Sequence, residues 1–204
     1  MKEHKLKINS NSIFLFSKIF PNNSANKILN KFSKNKNWKF ISQRRNNHYN
    51  HVFKSNSLFL PSKKEKYLAK FYRSDSLKNN KFIIYSISKY VLPTLSKKFK
   101  IKFKNIDIRC HKFLKNNFLR THFDNYASKL AVTINLNKEW KWDWGGILNI
   151  PYGKKYENNL SIIPTWNSMS VLCSFKGRKE SPHYVSAVQE FSLKPRYTIT
   201  IFLS

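Results

Sequence analysis

The chain has 204 residues, of which 41% are hydrophobic and 16% aromatic, a composition that supports a folded core and excludes a disordered chain. No run of 18 apolar residues is present, which excludes a membrane-spanning helix and predicts no membrane partner. The formal net charge of +29 suggests an acidic partner such as nucleic acid or the ribosome. The N-terminus has no small-residue cleavage site, and the two cysteines have no metal-type spacing. Both features predict a reduced, cytoplasmic protein.

The positive charge also has a second interpretation. Residues 1–105 carry 25 Lys and Arg against 3 acidic residues, whereas residues 106–204 carry 14 against 7. Lysine outnumbers arginine by 32 to 7, although arginine binds phosphate better because its guanidinium donates two parallel hydrogen bonds. Lys, Asn, Ile, Phe and Tyr all have A/T-rich codons, so an A/T-rich genome would enrich them without selection for binding. Nucleic-acid or ribosome binding is therefore only weakly supported.

The first 105 residues predict a basic supporting region that is mainly helical. Apolar residues at helical spacing predict an amphipathic helix over 24–41, with Ser24 at its start. Residues 42–66 are polar and irregular, which is typical of a loop with one short strand. A second helix is predicted within 81–99, and Pro93 should end or kink it.

From residue 106 the pattern changes to short strands separated by turn residues. No helical pattern occurs between them, so an antiparallel barrel or jelly roll is predicted. The expected fold is α+β and mainly β, with a double-stranded β-helix core over 106–204 and N-terminal supporting helices, as one structural domain overall. The predicted strands are 106–113, 119–124, 129–137, 147–151, 168–175, 183–188 and 196–204.

Three side chains in these strands have the chemistry of a metal site. His122 and Asp124 are two residues apart, so they lie on the same face of a strand. His183, at the start of a late strand, is the candidate third ligand. Two histidines and one carboxylate on one side of an octahedral ion leave open positions, which is typical of non-haem Fe(II) oxygenases. An ordinary polar pair on a strand with an unrelated surface histidine is the alternative, and His48 and His51 are interpreted as an exposed loop pair.

The last predicted strand has a candidate anchor for an anionic co-substrate. Arg196 opens this strand, and Thr200 lies four residues on, on the same face. A guanidinium fork with a hydroxyl suits the distal carboxylate of 2-oxoglutarate. The order His-x-Asp, His, Arg-x-x-x-Thr within a β-rich half is more specific than any of these motifs alone.

The chain resembles the Fe(II)/2-oxoglutarate-dependent dioxygenases, in particular the prolyl-hydroxylase-type branch. The matching segments are "FLRTHFDN", "AVTINLNKEW", "WGGILNI", "IIPTWNSMSVLCSF", "SPHYVSAV" and "RYTITIF", which cover roughly 107–204. The resemblance implies that His122, Asp124 and His183 hold Fe(II), and that Arg196 and Thr200 bind the C5 carboxylate of 2-oxoglutarate. It also implies that Leu148 lines the co-substrate pocket and that O2 is the oxidant.

Two positions depart from the pattern of these relatives. Tyrosines that contact 2-oxoglutarate in relatives are replaced here by Asn135 and, if a one-residue insertion is allowed, by His111. Both side chains can still form hydrogen bonds and stay candidate co-substrate residues. Asn125 and Tyr126, directly after Asp124, are the candidate substrate contacts.

The resemblance implies hydroxylation of an unactivated C–H, with succinate and CO2 as co-products. A prolyl or other residue in a peptide or protein is the predicted substrate. A free amino acid or small biosynthetic intermediate is the alternative within the class. A basic nucleic-acid-binding protein on a jelly-roll scaffold is the alternative from another class.

Overall fold

The computed structural model describes residues 2–8, 11–46, 49, 57–124, 129–173 and 182–204. The candidate substrate residues Asn125 and Tyr126 and the pair His48 and His51 lie outside these residues. None of the helices in the described part of the chain is long and apolar enough to cross a membrane.

The N-terminal half combines strands with helices. It contains four strands, whereas the sequence predicted only one short strand, within 42–66. The elements are β1 (Lys2–Ile8), β2 (Asn11–Ser17), α1 (Asn22–Lys34), β3 (Lys39–Arg45), β4 (Tyr67–Arg73), α2 (Asp75–Lys78), α3 (Lys81–Ser86), a π-helical turn (Ile87–Val91) and α4 (Leu92–Phe99).

Two details of the predicted helices differ in the structure. Helix α1 begins at Asn22, with Pro21 rather than Ser24 before its first turn. The second helical segment continues past Pro93. A π-helical turn precedes the proline, where the Leu92 amide bonds to the Ile87 carbonyl, and the Thr94 hydroxyl donates to the Tyr90 carbonyl at 2.9 Å. This local change of hydrogen bonding compensates for the backbone N–H that proline lacks, so the helix continues.

The C-terminal half contains all seven predicted strands and one more. Their bounds agree with the prediction to within a few residues, because alternating apolar residues mark them clearly. The strands are β5 (Ile106–Phe113), β6 (Phe118–His122), β7 (Leu130–Asn135), β8 (Leu148–Tyr152), β9 (Asn158–Ile162), β10 (Ser168–Cys173), β11 (His183–Val185) and β12 (Arg196–Leu203). The unpredicted strand is β9.

The strands form one curled antiparallel sheet, which confirms the predicted jelly roll. Its order is β1-β2-β10-β7-β12-β5-β4-β6-β11-β8-β9, with β3 beside β4. The four strands β10-β7-β12-β5 form one wall of the barrel, and β6-β11-β8-β9 form the other. Strand β4 joins the two walls at one side, since it pairs with both β5 and β6.

Strand alternation gives the first wall two different faces. On β12, Ile199 and Ile201 face outward into a buried cluster with Ile28 and Phe32 of α1 and with the helices that follow β4. The intervening residues of β12 face the barrel interior instead, where Arg196 and its neighbours line a cavity. Each outward aliphatic side chain contributes about 1.5–3 kcal/mol on burial. Helix packing therefore stabilises the wall, and the other face can carry polar side chains.

Candidate functional site

His122, Asp124 and His183 come together at one end of the barrel. His122 and His183 are directly opposite each other in the β6–β11 pairing, and their ring centroids lie 4.5 Å apart. The Asp124 carboxylate is 3.4 Å from His183 Nε2 and 3.9 Å from His122 Nε2. One ligand atom from each residue lies within 4.8 Å of the others. The structure thus brings all three predicted ligands together.

The backbone orients the His122 ring for this role. Its Nδ1 donates a hydrogen bond of 2.8 Å to the carbonyl of Arg120, which directs Nε2 towards Asp124. The Tyr67 ring packs edge-on against His122 at 5.8 Å. Since two imidazole nitrogens and one carboxylate oxygen are the donor set that suits non-haem Fe(II), these residues fit the ion that the sequence predicts.

The electrostatic surroundings keep Asp124 ionised. Burial alone would raise the pKa of this carboxyl group, but His183, His122 and Arg109 outweigh it and lower the pKa below its usual range. An ionised carboxylate is the form that coordinates a metal.

At the other end of the same cavity lies a buried arginine. Arg196 is 2% exposed, and its guanidinium packs over the Phe113 ring at 5.0 Å. Burial lowers its pKa to about 9. Among the described residues no carboxylate pairs with it, and its Nε has no hydrogen-bond partner. A buried guanidinium without an anion is costly, so this group fits the carboxylate of a bound dianion.

Two glycines shape the wall that faces Arg196. Gly146 has a φ of +60°, and a Cβ there would lie 3.2 Å from Arg196 Cδ and 3.0 Å from Val188. At Gly145, with a φ of +64°, a Cβ would overlap the carbonyl oxygen of Ala187. Trp140 Nε1 donates to the Gly145 carbonyl at 2.8 Å. The Gly-Gly turn therefore allows the close approach that fixes the anchor.

Three of the candidate co-substrate residues, His111, Thr200 and Leu148, line the same cavity. Thr200 Oγ1 lies 3.4 Å from His111 Nδ1. Thr200 is four residues beyond Arg196, about 13 Å along the strand, so the two side chains start from well-separated points of the cavity. Burial, followed by the charges of Arg109 and Arg196, lowers the pKa of His111 to about 3, and its ring is therefore neutral.

Asn135 is placed differently from the other candidates. It is 3% exposed and donates from Nδ2 to Ser168 Oγ at 3.2 Å. It lines a second cavity, between β10 and β9, instead of the cavity with the histidines. Its partner in the β12–β7 pairing, Thr198, does line the cavity with the histidines. Thr133, two residues earlier on β7, also lines that cavity, so Asn135 at the end of β7 lies just beyond it.

Several cavity residues were missed at the sequence level. Arg109 and Phe113 share the inward face of β5 with His111, and the same two-residue period would have identified them. Arg45 and Tyr67 come from β3 and β4. Their position depends on the pairing of β4 with both walls, which no local pattern of the sequence indicates.

Residues 108–204 match the model of a family described as the 2OG-Fe(II) oxygenase superfamily. This segment, which carries the three candidate iron ligands, belongs to that superfamily. Its members use Fe(II), 2-oxoglutarate and O2, and the protein is an oxygenase, as the sequence predicts. Among curated proteins, none matches the sequence significantly.

Solved structures of prolyl hydroxylases share the fold over nearly the whole chain. A prolyl-4-hydroxylase from Pseudomonas putida has a TM-score of 0.62 at 10% identity and covers 95% of this chain and 92% of its own. A prolyl hydroxylase from Trichoplax adhaerens, in complex with a hypoxia-inducible-factor peptide fragment, has a TM-score of 0.62 at 16% identity and covers 96% and 84%. The viral collagen prolyl hydroxylase of Paramecium bursaria Chlorella virus-1, in complex with 2-oxoglutarate, has a TM-score of 0.56 at 13% identity and covers 94% of each chain.

Proposed function

We propose that this oxygenase hydroxylates an unactivated C–H of a prolyl or other residue in a peptide or protein. In this reaction O2 and 2-oxoglutarate are consumed, one oxygen atom enters the substrate as hydroxyl, and succinate and CO2 are released. The observation that carries the proposal is that one cavity is lined both by the His122–Asp124–His183 cluster and by the buried Arg196, which no described carboxylate neutralises.

The proposed roles follow from the position of each side chain. His122, Asp124 and His183 would hold Fe(II), whose chemistry couples decarboxylation of 2-oxoglutarate to activation of O2. Arg196 would bind the distal carboxylate through charge-assisted hydrogen bonds. Because these groups are held by paired strands, the co-substrate would be fixed without much rearrangement of the protein.

Apolar side chains around the cluster would limit access of water. Leu148 and Val185 are buried and opposite each other in the β8–β11 pairing, and Phe113 lies beneath the Arg196 guanidinium. A cavity with apolar walls strengthens the electrostatic interactions within it and protects reactive species from side reactions.

The choice of substrate rests on similarity. The Trichoplax adhaerens protein of the same fold was solved with a peptide fragment bound, and the Pseudomonas putida and viral proteins are named as prolyl hydroxylases. These likenesses support a peptide or protein substrate for this chain, with the prolyl side chain as the first to test.

The test is to add Fe(II) and 2-oxoglutarate without O2, record the weak visible metal-to-ligand absorption, and then measure succinate after O2 is admitted. We expect the wild-type protein to give both signals and His183→Ala to lose both. His4→Ala, which changes an exposed histidine on β1, is the matched control and should behave as wild type. No absorption and no succinate from folded wild-type protein would overturn the proposed function.

A further inference from the structure

The cavity with the candidate iron ligands has an excess of positive charge that bound Fe(II) and 2-oxoglutarate would not remove. Arg45, Arg109 and Arg196 line it, and Asp124 is the only carboxylate among its described lining residues. Fe(II) would add two positive charges, and 2-oxoglutarate, a dianion, would remove two. Counted over these lining residues alone, a loaded site keeps a surplus of two positive charges, which an anionic substrate would reduce.

Arg109 is a cavity-lining arginine on β5, the strand that pairs with the strand of Arg196. It lies opposite Thr200 in the β5–β12 pairing, four positions from the pair formed by Phe113 and Arg196. Four residues correspond to about 13 Å along a strand. The side chains of Arg109 and Arg196 therefore start far apart, and we expect them to serve different anionic groups.

Neighbouring groups hold the Arg109 side chain, and its one described carboxylate partner is shared with a second cation. Its Nε and Nη2 both bond to one oxygen of Asp107, at 2.9 and 2.8 Å, and its guanidinium packs 4.5 Å from the Phe202 ring centre. Lys78 lies 3.5 Å from the other oxygen of Asp107. Two cations thus share one carboxylate, and no hydrogen bond to a described residue uses Nη1 of Arg109, so donors remain for a ligand.

Arg45, an exposed residue of β3, is a further arginine in the lining of the cavity. It lies opposite Tyr67 in the β3–β4 pairing, and its guanidinium is 5.7 Å from the Tyr67 ring centre. Tyr67 in turn packs against His122. No described acidic residue forms an ion pair with Arg45, and its described hydrogen bond is to Gln43, at 3.4 Å.

We propose that Arg109 and Arg45 recognise a carboxylate of the substrate, close to the carbon that is hydroxylated. The inference rests on the proposed function and narrows its substrate class to acidic molecules. Arginine binds carboxylate through two parallel hydrogen bonds, which fixes orientation as well as charge. The carboxylate can belong to an acidic side chain in a peptide or to the α-carboxylate of a free amino acid.

The experiment compares pairs of substrates that differ only in charge. Prolyl peptides with Glu or Gln beside the proline form the first pair, and free proline and prolinamide form the second. Substrate-stimulated succinate formation is measured with the full-length protein loaded with Fe(II) and 2-oxoglutarate. The variants are Arg109→Gln, Arg45→Gln and Arg109→Lys. The control is Arg44→Gln, which removes the same charge from an exposed neighbour on β3 outside the cavity.

We expect the wild-type protein to prefer the carboxylate member of at least one pair by about 10- to 100-fold in kcat/KM, the range of a charge-assisted hydrogen bond. Arg109→Gln should remove most of this preference, Arg45→Gln part of it, and Arg109→Lys should restore some. Thermal denaturation should show that Arg109→Gln is folded, and the KM for 2-oxoglutarate and the succinate formed without substrate should stay within about twofold of wild type for the control Arg44→Gln. Whichever pair responds identifies the source of the carboxylate.

Equal use of both members of each pair, or no stimulation by any of them, would overturn this inference while succinate formation without substrate upheld the proposed function. A rise in the KM for 2-oxoglutarate in Arg109→Gln, with the preference unchanged, would also overturn it, because Arg109 would then serve the co-substrate. If folded wild-type protein showed no 2-oxoglutarate turnover at all, both this inference and the proposed function would be wrong.

Discussion

Replacing Arg196 by methionine should stabilise the protein without ligands and abolish its response to 2-oxoglutarate. Methionine has a similar unbranched stem and no charge, so it can fill the same space. Burial lowers the pKa of Arg196 to about 9, against an ordinary value of about 12.5. At 1.36 kcal/mol for each pKa unit, the folded state loses at most about 5 kcal/mol by keeping this group charged.

The expected gain is smaller than this upper limit. Replacement of buried charged groups by apolar ones of similar volume commonly stabilises proteins by about 1–4 kcal/mol. For a chain of this size, each kcal/mol raises Tm by about 2–4 °C. The penalty is fully present below pH 9 and decreases as pH rises from about 9 towards 12.5, because only the unfolded state then keeps the proton. The variant should therefore gain most at neutral pH.

Thermal and urea denaturation would measure this, with and without Fe(II) and 2-oxoglutarate under anaerobic conditions. A ligand at 100 times its Kd stabilises the folded state by about 2.7 kcal/mol, and Arg196→Met should lose the part that 2-oxoglutarate adds. Arg44→Met, at an exposed site, should change neither quantity by more than about 0.5 kcal/mol. A destabilised Arg196→Met protein that still responds to 2-oxoglutarate would refute this prediction.

Three further predictions concern the walls of the cavity. Gly146→Ala should lower 2-oxoglutarate affinity and cost about 1–3 kcal/mol of stability, because the new Cβ meets Arg196 and Val188 at positive φ. The control Gly153→Ala, where the Cβ would meet the Glu157 side chain, should lower stability only. An equal loss of 2-oxoglutarate affinity in both variants would contradict this prediction. The His111 pKa of about 3 lies below the unfolded value of about 6.5, so stability should fall as pH drops through this window, by about 2 kcal/mol from pH 6.5 to 5. Urea denaturation of His111→Gln should show a shallower pH dependence, and an unchanged slope would exclude the effect. Ile199→Ala, on the outward face of β12, should cost about 2–5 kcal/mol in denaturation while the affinity for 2-oxoglutarate stays near wild type; a matching loss of affinity would show that the two faces are not independent.

The sequence predicted the jelly roll and its cluster of three candidate ligands because both depend on a two-residue period. Once β6 and β11 pair, the position of His122 opposite His183 follows from their places on the strands. Adjacent glycines such as Gly145 and Gly146 are themselves typical of a turn, since few other residues adopt positive φ easily.

The parts that were not predicted depend on long-range pairing. Asn135 has the same parity as the cavity residue Thr133, yet it ends β7 and lines a second cavity. Arg45 reaches the cavity only because β3 pairs with β4, and β4 with both walls. The continuation of the helix past Pro93 depends on a π-helical turn, for which residue propensities give no clear signal.

The arrangement of β12 has a consequence for how the protein folds. This strand pairs with β5, and the contact between Thr200 and His111 joins residues 89 positions apart in the chain. Such distant contacts form slowly, since a long loop must close first. A slip of β12 by one residue would turn Arg196 towards the helices and Ile199 into the cavity. A partly folded chain therefore has neither a packed helical face nor an anchor for an anion, and an anionic ligand such as 2-oxoglutarate would select the correctly registered barrel from among its folding alternatives.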